Sequence, residues 1–349
     1  MKKSDYLIVG QGIVGSVMAL TLMRQGKSVI VIDQPQLSSS SKIAAGVYNP
    51  FNFRQMMNTW RAVEMVNAAR DLYRYAEKIS QERIFSERKI LKIFTSAEER
   101  KLWERACDEK ENLFADEKIL ENDFDKSIIA PWGIGVVNQA GNIDAGMLIH
   151  GVAEKLKSEN AFFEEKFEHG KLQLSDEGIV YDQKISARQL VFCEGHLNTN
   201  NPWFKFLPVK PAKGQLLHVR IPGLMLTEVL NRGAYLLPLG NEQFILGSTF
   251  DNDAVDELPT KIAEGDLLAR LKKFVNVPVQ VEKQFAGIRP AVQDRRPIIG
   301  RHPKFPQLSI INGMGSKAVL LSPWLSEKLI SNIEEGTPIA IEIRIERFF

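Results

Sequence analysis

The chain has 349 residues, 44% of them hydrophobic, so it is long enough to bury the cores of two domains. Its 45 basic and 43 acidic residues leave a formal charge of +2, which argues against nucleic acid as a partner and favours a small-molecule substrate. The two cysteines form no CxxC motif and the five histidines have no metal-ligand spacing, so we expect a reduced, cytoplasmic protein without a metal.

The first predicted elements are a buried strand, a glycine turn, a helix and a second buried strand. The apolar run from Tyr6 to Met23 is interrupted by three glycines and Gln11, which predicts a strand and a helix rather than a membrane span or a signal sequence. The second strand is "SVIVID". A strand, a helix and a strand within about 30 residues form a βαβ unit.

The turn between this strand and helix has the pattern GxGxxG, formed by Gly10, Gly12 and Gly15. The first glycine permits the tight turn, the second lets a pyrophosphate approach the backbone, and the third allows the helix to pack closely on the strand. Asp33 ends the second strand, where its carboxylate can accept hydrogen bonds from ribose hydroxyls. The pattern predicts a dinucleotide site and leaves NAD and FAD open, while the acid disfavours NADP.

The middle of the chain alternates between helices and strands. After a loop-like serine run and "AAGVYNPF", apolar residues recur every three or four positions from Gln55 to Ile79 and predict an amphipathic helix. "KILKIFTS" is predicted as a strand and "AEERKLWERACDEKEN" as a charged, solvated helix. "GNIDAGMLIHGVAEKLKSE" predicts a helix capped by Asp144, and "GIVYDQKISARQLVFCEG" predicts two strands joined by a turn.

The last part of the chain changes pattern twice. From Lys210 to Phe285 strands alternate in "GQLLHVRI", "GAYLLPL" and "QFILGSTF", with one helix around residues 263–274, and "QLSIINGMGSKAVLLSPWLSEKLISNI" then repeats the opening order of strand, glycine turn and helix. We predict a discontinuous α/β protein. Residues 1–85, 145–209 and 286–349 would form a domain with a parallel sheet, and residues 86–144 and 210–285 a second domain with a mainly antiparallel sheet.

In this order the motifs resemble the D-amino-acid oxidase, glycine oxidase and sarcosine oxidase family of FAD-dependent oxidoreductases. The resemblance covers nearly the whole chain and is carried by "IVGQGIVGS", "SSSSKIAAGVYNP", "GNIDAGML", "PAKGQLLHV", "AYLLPLGNEQFILGSTF", "AGIRPAVQDRRPIIG" and "NGMGSKAVLLSPWLSEKL". The segment "RPIIGRHP" is most similar to the glycine oxidase branch. The resemblance implies a Rossmann-like FAD-binding domain of the glutathione-reductase-like type and a second, α+β substrate domain whose sheet is mainly antiparallel.

The resemblance also implies which residues hold the FAD. Ser40 and Ser41 would reach the pyrophosphate, the segment Ala44 to Gly46 would run beside the isoalloxazine, and Phe167 would offer backbone to the adenine. The last glycine turn would place a helix N-terminus near the flavin pyrimidine, with Ala318 where many relatives have glycine. The implied cofactor set is Gly10, Gln11, Gly12, Ile13, Val14, Gly15, Asp33, Gln34, Ser40, Ser41, Ala44, Ala45, Gly46, Phe167, Cys193, Glu194, Gly195, Gly287, Gly313, Met314, Gly315, Ser316, Lys317, Ala318 and Val319.

Two side chains are implied as substrate contacts. Arg289 in "GIRP" matches the arginine with which amino-acid-oxidising members hold the substrate carboxylate, a two-pronged contact that lysine cannot copy. Tyr235 in "AYLLP" matches a second carboxylate contact of glycine-oxidase-like members. By contrast, Arg295 and Arg296 are expected to face solvent or to pair with acids such as Asp294. Cys193 is expected to be a packed small residue rather than a reactive thiol.

The implied chemistry is oxidation of the C–N bond of a small amine or amino acid, with hydride passing to flavin N5. No cysteine lies near residues 287–300, where sarcosine-oxidase-like members attach the flavin, so we expect non-covalent FAD. Ile245 occupies the position of their oxygen-activating lysine, which leaves the electron acceptor open. Two alternatives stay open as well: a flavin-dependent oxidoreductase that acts on an amine in tRNA, and a flavin-binding protein without turnover.

Overall fold

The computed structural model describes residues 1–34, 40–109, 111–121 and 125–349, which form two large sheets, a small hairpin and seven α-helices. The strands are β1 Lys2–Val9, β2 Val29–Asp33, β3 Val47–Tyr48, β4 Phe51–Asn52, β5 Met57–Asn58, β6 Phe85–Ile93, β7 Ile134–Ile143, β8 Phe162–Glu164, β9 Leu172–Ser175, β10 Gly178–Tyr181, β11 Ile185–Phe192, β12 Val209–Arg220, β13 Val229–Asn231, β14 Tyr235–Gly240, β15 Gln243–Gly247, β16 Gln280–Val292, β17 Ile298–Arg301 and β18 Leu308–Asn312. The helices are α1 Ile13–Arg24, α2 Ser40–Ile43, α3 Ala62–Ser80, α4 Ala97–Asp108, α5 Ala145–Ser158, α6 Lys261–Leu271 and α7 Ala318–Glu335.

The first sheet is built around the βαβ unit. Its main path runs β17, β18, β11, β1, β2, β8, and the neighbours from β18 to β8 are parallel. The last four residues of β1 are buried, as expected for a central strand covered on both faces. Because parallel strands end at the same edge, the turns that follow β1, β2 and β11 lie together at the carboxyl edge of this sheet.

The second sheet has the order β16, β12, β15, β14, β13, β6, β7, β3, and its neighbouring strands are antiparallel except β13 and β6. Its longest pairing joins β12 to β16, with Ala212 opposite Arg289 and Gly214 opposite Gly287. The predicted α/β class, with one largely parallel and one largely antiparallel sheet, is confirmed.

The two sheets meet where β16 passes helix α2. Helix α2 packs against β16, and an added Cβ at Gly287 would lie 2.8 Å from Ile43 Cδ1. Strand β16 continues through residue 292 in the second sheet, so it crosses the predicted domain boundary at residue 286. Strand β3, from the first predicted segment, also pairs into the second sheet. The domain boundaries themselves stay a prediction.

The predicted helix from Gln55 to Ile79 begins later than expected. Helix α3 starts at Ala62, because residues 51–58 form the β4–β5 hairpin and Arg61 adopts a left-handed conformation with φ 49°. In the serine run, Ser38 and Ser39 lie outside the described residues, and Ser40 opens the short helix α2 rather than continuing a loop. The predicted cap of α5 is confirmed: the Asp144 carboxylate accepts a hydrogen bond from the Met147 N–H at 2.9 Å.

Among the described residues, no helix combines the length and the apolar composition that a membrane crossing requires. The same residues contain no group of three or more His, Cys, Asp or Glu side chains placed to hold a metal ion.

Candidate functional site

In the glycine turn after β1, the backbone at the start of α1 lies close against the backbone of the turn itself. An added Cβ at Gly15 would overlap the Gly10 carbonyl oxygen, so helix α1 approaches the turn as only glycine allows. Gly10 itself has φ 96°, and an added Cβ there would lie 2.6 Å from the Cys193 carbonyl oxygen. The turn is therefore packed between the start of α1 and the end of β11.

The N-terminus of α1 points toward the start of α2. The Ile13 N–H donates to Ser41 Oγ at 3.1 Å, and an added Cβ at Gly12 would lie 2.9 Å from the same hydroxyl. The residue before helix α1, Gly12, supplies no side-chain cap, so the N–H groups that follow Ile13 in the first turn are available to an anion. These contacts bring Ser41 to the glycine turn, where it was predicted to meet a pyrophosphate.

Asp33 lies beside this turn at the end of β2. Its carboxylate accepts a hydrogen bond from the Gln11 N–H at 3.1 Å. Burial raises the pKa of Asp33, while the Gln11 N–H and the positive charge of Lys42 act in the opposite direction. A partly buried carboxylate that is hydrogen-bonded to the glycine turn and still has free acceptor capacity suits ribose hydroxyls. Gln34 directly follows it and is also partly buried.

The end of β11 closes over the other side of the turn. Cys193 is buried, burial raises the pKa of its thiol, and its N–H donates to the Val9 carbonyl at 2.8 Å, so it packs as a small core residue. Glu194 accepts a hydrogen bond from Asn201 at 2.7 Å. Gly195 has φ 57°, and its carbonyl accepts from Asn312 at 2.8 Å, which ties β11 to β18.

A cavity connects the start of α1 with the second sheet. Its described lining residues are Ile13, Ser40, Ser41, Ile43, Ala44, Ala45, Gly46, Val47, Gly214, Gln215, Leu216, Tyr235, Ser248, Gly287, Arg289, Gly315, Ser316, Ala318 and Val319. The segment 44–46 is held close to β7, because an added Cβ at Gly46 would overlap the Ile143 carbonyl oxygen. Arg289 is the only charged side chain among these lining residues.

Arg289 projects from β16 across the neighbouring strand. An added Cβ at Gly214 would overlap its guanidinium, so the group lies directly over the glycine of β12. Its Nη1 donates to the Thr249 carbonyl at 3.1 Å, and its Cζ lies 5.9 Å from the centre of the Phe250 ring. Burial lowers the pKa of Arg289, and nearby Tyr235 opposes this shift. In the described part of the chain no carboxylate forms an ion pair with Arg289, so its charge is available to a ligand.

Tyr235 enters the same cavity from β14. It stands opposite Gly247 on β15, and an added Cβ at that glycine would lie 2.5 Å from the Tyr235 hydroxyl oxygen. Burial raises the pKa of Tyr235 to about 12, although the positive charge of Arg289 favours the phenolate. The hydroxyl is therefore protonated at neutral pH and can donate a hydrogen bond next to the guanidinium.

The last predicted glycine turn leads into α7, as expected. Gly313 and Gly315 have φ 75° and 55°, Lys317 is the N-cap, and the Gly315 N–H donates to the Pro290 carbonyl at 3.0 Å. Gly315, Ser316, Ala318 and Val319 line the cavity, so the N-terminus of α7 faces it. Met314 and Gly313 are buried beneath the turn.

Phe167 and Val14 are among the predicted cofactor residues that do not line the cavity. The Phe167 ring is buried and stacked on Tyr181 with centroids 4.5 Å apart, just beyond β8, where Glu164 pairs with Asp33. Its backbone contact to an adenine stays a prediction. Val14 is half-buried on the first turn of α1 and belongs to the core contacts of that helix rather than to the cavity lining.

Several cavity residues escaped the sequence analysis. Gln215 and Ser248 line the cavity, and Phe250 covers the outer side of Arg289. Gln215 follows Gly214 in "PAKGQL", and the other two belong to "GSTF". Their motifs were recognised, but the pairing of β12 with β15 and β16 decides which residues within them face the cavity.

The residues of this site fit a flavin dinucleotide. The glycine turn, the free end of α1 and the Asp33 carboxylate form a cradle for an adenine dinucleotide, and the cavity extends from that cradle to Arg289. Small side chains at 44–46 and at Gly287 leave a flat surface along it. No cysteine or histidine occurs among the described lining residues, which suits a flavin held without a covalent bond.

Comparison with known proteins agrees with this geometry. A family model described as FAD dependent oxidoreductase (DAO) matches residues 5–331. Glycine oxidase from Bacillus licheniformis is 23% identical over 361 residues, covering 98% of this chain and 95% of the relative. Among solved structures, iminodiacetate oxidase from Chelativorans sp. BNC1 superimposes with a TM-score of 0.81 at 20% identity, covering 98% of both chains.

A second group of relatives is longer than this chain. The tRNA 5-methylaminomethyl-2-thiouridine biosynthesis bifunctional protein MnmC of Leptospira borgpetersenii is 24% identical over 397 residues. The match covers 97% of this chain but only 58% of that relative.

Proposed function

Because this chain belongs to the FAD dependent oxidoreductase (DAO) family, we propose that it oxidises the C–N bond of a small amine that carries a carboxylate. The observation that carries this proposal is Arg289, a guanidinium turned into the cavity without an acidic partner among the described residues. When bound, FAD supplies the hydride acceptor.

The chain's own contribution is to bind and orient the substrate. Arg289 offers parallel N–H groups to a carboxylate, a geometry that fixes both its position and its plane. Tyr235 would donate a second hydrogen bond from β14, which is separated from β16 by β12 and β15 in the same sheet. With the carboxylate held at this end, the carbon next to the amine is directed along the cavity toward residues 44–46 and the N-terminus of α7.

The lining also supports a mechanism without a side-chain base. No acid and no histidine occurs among the described lining residues, so none of them is placed to take a proton from the amine. The amine must then lose its proton to solvent before hydride transfer. Desolvation in a cavity with one cation favours the neutral amine over an ammonium ion, because the ammonium would be repelled by Arg289.

Two similar proteins support a carboxylated amine as substrate. Glycine and iminodiacetate, the compounds named in the glycine oxidase and iminodiacetate oxidase relatives, both carry a carboxylate beside the nitrogen-bearing carbon. A second candidate is an amine attached to tRNA, favoured by the match that spans 97% of this chain to the tRNA-modifying relative.

Anaerobic reduction of the purified protein tests the proposal. We expect a yellow protein that releases its flavin on denaturation and whose absorbance near 450 nm, roughly the flavin maximum, bleaches with one of glycine, sarcosine, proline or a D-amino acid. Bleaching by modified tRNA but by none of these amines would favour the second candidate. Colour that responds to no donor would contradict both and would indicate a flavin-binding protein without turnover.

A further inference from the structure

Beside the cavity lies a group of cations, of which Arg295 and Arg296 belong neither to the implied cofactor residues nor to the proposed substrate contacts. Arg295, Arg296 and Lys317, here called the basic cluster, combine the turn after β16 with the N-cap of α7. The Arg296 guanidinium carbon lies 5.0 Å from the centre of the Trp60 ring. Desolvation, followed by the positive charges of Arg296 and Arg295, lowers the pKa of Lys317.

The basic cluster lacks acidic partners. Asp294 is next to it in sequence, but its carboxylate accepts from the Arg296 N–H at 2.9 Å and pairs with Arg347 at 3.2 Å. Glu64 pairs with Arg61 at 3.0 Å on the far side of Trp60. Within the described ranges no acidic side chain forms an ion pair with any member of the cluster. Three cations held together without counter-charges repel one another and favour an added anion.

The backbone supports this arrangement at a conformational cost. Arg295 has φ 57°, a left-handed conformation in which glycine or asparagine is the usual residue. The turn is nevertheless anchored, since Arg347 donates to the carbonyls of Pro297 and Arg296 at 3.0 and 3.2 Å.

The turn after β16 and the N-terminus of α7, which carry the basic cluster, both adjoin the cavity. The turn that carries Arg295 and Arg296 begins directly after Val292, the last residue of β16, which is the strand that carries Arg289, and the Arg295 N–H donates to the Val292 carbonyl at 2.9 Å. The Gly315 N–H donates to the Pro290 carbonyl at 3.0 Å, which holds the α7 turn against the same strand. Ser316, immediately before Lys317, lines the cavity and is exposed to solvent, so the cavity opens beside the cluster.

From this geometry we propose that the basic cluster is a subsite for a second anionic group of the substrate. The substrate is then an amine with two acids, one carboxylate held by Arg289 and a carboxylate or phosphate held by Arg295, Arg296 and Lys317. This inference rests on the proposed function, and it narrows the substrate class from simple amino acids to dianionic amines. A small ligand is favoured over a nucleic-acid strand because the whole chain carries a formal charge of only +2.

The test measures binding rather than turnover. Non-oxidisable acids are titrated into the flavin-loaded protein, with acetate as the one-acid probe, the dicarboxylates from malonate to adipate as a length series, and phosphoglycolate as the phosphate probe. The dissociation constant is followed by flavin absorbance and by tryptophan fluorescence, because Trp60 contacts Arg296. We expect at least one two-acid probe to bind about tenfold tighter than acetate, as one further charge-assisted contact would give. Preference for phosphoglycolate or for a dicarboxylate identifies the second acid.

The double variant Arg295→Asn/Arg296→Gln removes two cluster charges, and asparagine suits the left-handed position. It should lose the tenfold preference while its acetate affinity stays unchanged. The matched control, Lys89→Gln/Lys272→Gln, removes two exposed charges elsewhere and should keep the preference.

The outcomes separate this inference from the proposed function. Acetate binding without any preference for a second acid would overturn the inference alone, as would a preference that survives in the double variant. Failure of every acid, acetate included, to bind would contradict the role of Arg289 and with it the proposed function. Cluster-dependent binding of a short RNA oligonucleotide, with no preference among the small acids, would replace the subsite by a nucleic-acid surface.

Discussion

The two ends of the cavity are built in different ways. At the glycine turn the contacts are between backbone atoms of residues close in sequence, as between Gly10 and Gly15. At the other end a single side chain, Arg289, lies over Gly214, 75 residues earlier in the chain, and the contact exists only because β12 pairs with β16. The first end can be recognised from spacing alone, whereas the second depends on strand register.

The electrostatics of the two ends also differ in sign. Burial raises the pKa of Asp33 at one end and lowers that of Arg289 at the other, so each end holds a charge that loses hydration in the folded chain. Each is therefore matched to a complementary ligand group, ribose hydroxyls for the carboxylate and a carboxylate for the guanidinium. Substitutions at the two ends should separate cofactor binding from substrate binding.

The largest expected effect follows from Gly15→Val at the glycine turn. The new side chain would overlap the Gly10 carbonyl oxygen, which cannot move without displacing β1, so we expect loss of FAD and a free energy of unfolding lowered by about 3 kcal/mol or more. Flavin absorbance of the purified protein and urea unfolding measure the two losses. Gly265→Ala is the control, because an added Cβ within α6 meets nothing within 4 Å. A Gly15→Val protein that kept its flavin would refute the assigned turn geometry.

Arg289→Lys should produce the next largest effect, and it should weaken substrate binding without affecting flavin binding. Lysine keeps the charge but loses the planar two-pronged contact, at a cost of about 2–4 kcal/mol in substrate binding, or roughly 30- to 1,000-fold in kcat/KM. Stopped-flow reduction with the best amine measures this, and flavin content should equal that of the unmodified protein. Arg220→Lys, at an exposed ion pair with Glu282, is the matched control. Loss of flavin instead of substrate binding would assign Arg289 to the cofactor.

Gly214→Ala tests whether the pairing register of β12 with β16 positions the Arg289 guanidinium. The added methyl group would overlap the end of the Arg289 side chain, which is free to rotate away, so the fold should persist while the carboxylate contact is displaced. We expect about a tenfold rise in the substrate dissociation constant. The thermal midpoint should stay within a few degrees, roughly the shift that 0.5 kcal/mol gives. Unchanged substrate affinity would show that Arg289 does not act from its position over Gly214.

Tyr235→Phe should have the smallest effect. Removing one neutral donor costs about 0.5–1.5 kcal/mol, or roughly 2- to 13-fold in the substrate dissociation constant. Because the folded-state pKa of about 12 lies above the ordinary 10.0, the stability gained from the protonated phenol is complete below pH 10 and is lost only as the pH rises toward 12. The pH dependence of activity below pH 10 should therefore be the same in Tyr235→Phe as in the unmodified protein. A change in that pH dependence on substitution would contradict the burial of the phenol.

The sequence predicted most of the local elements but misplaced some of their boundaries. The predicted helix from Gln55 actually begins at Ala62, since periodicity cannot report the left-handed residue at Arg61 or the hairpin before it. Arg295 and Arg296 were expected to face solvent or to pair with acids such as Asp294. Arg295 is exposed and Arg296 is partly buried, while Asp294 pairs instead with Arg347 from the far end of the chain.

By itself, the amino-acid sequence determined the βαβ unit, the glycine turn and the acid at the end of β2, because those contacts join residues within about one βαβ unit, roughly 30 residues. Only the tertiary structure decided that Arg289 faces a cavity, and that neither Arg289 nor Arg295, Arg296 and Lys317 form an ion pair with an acid among the described residues. The physical reason is that charge balance depends on which groups lie within a few ångströms, and strand pairing between distant segments sets those distances.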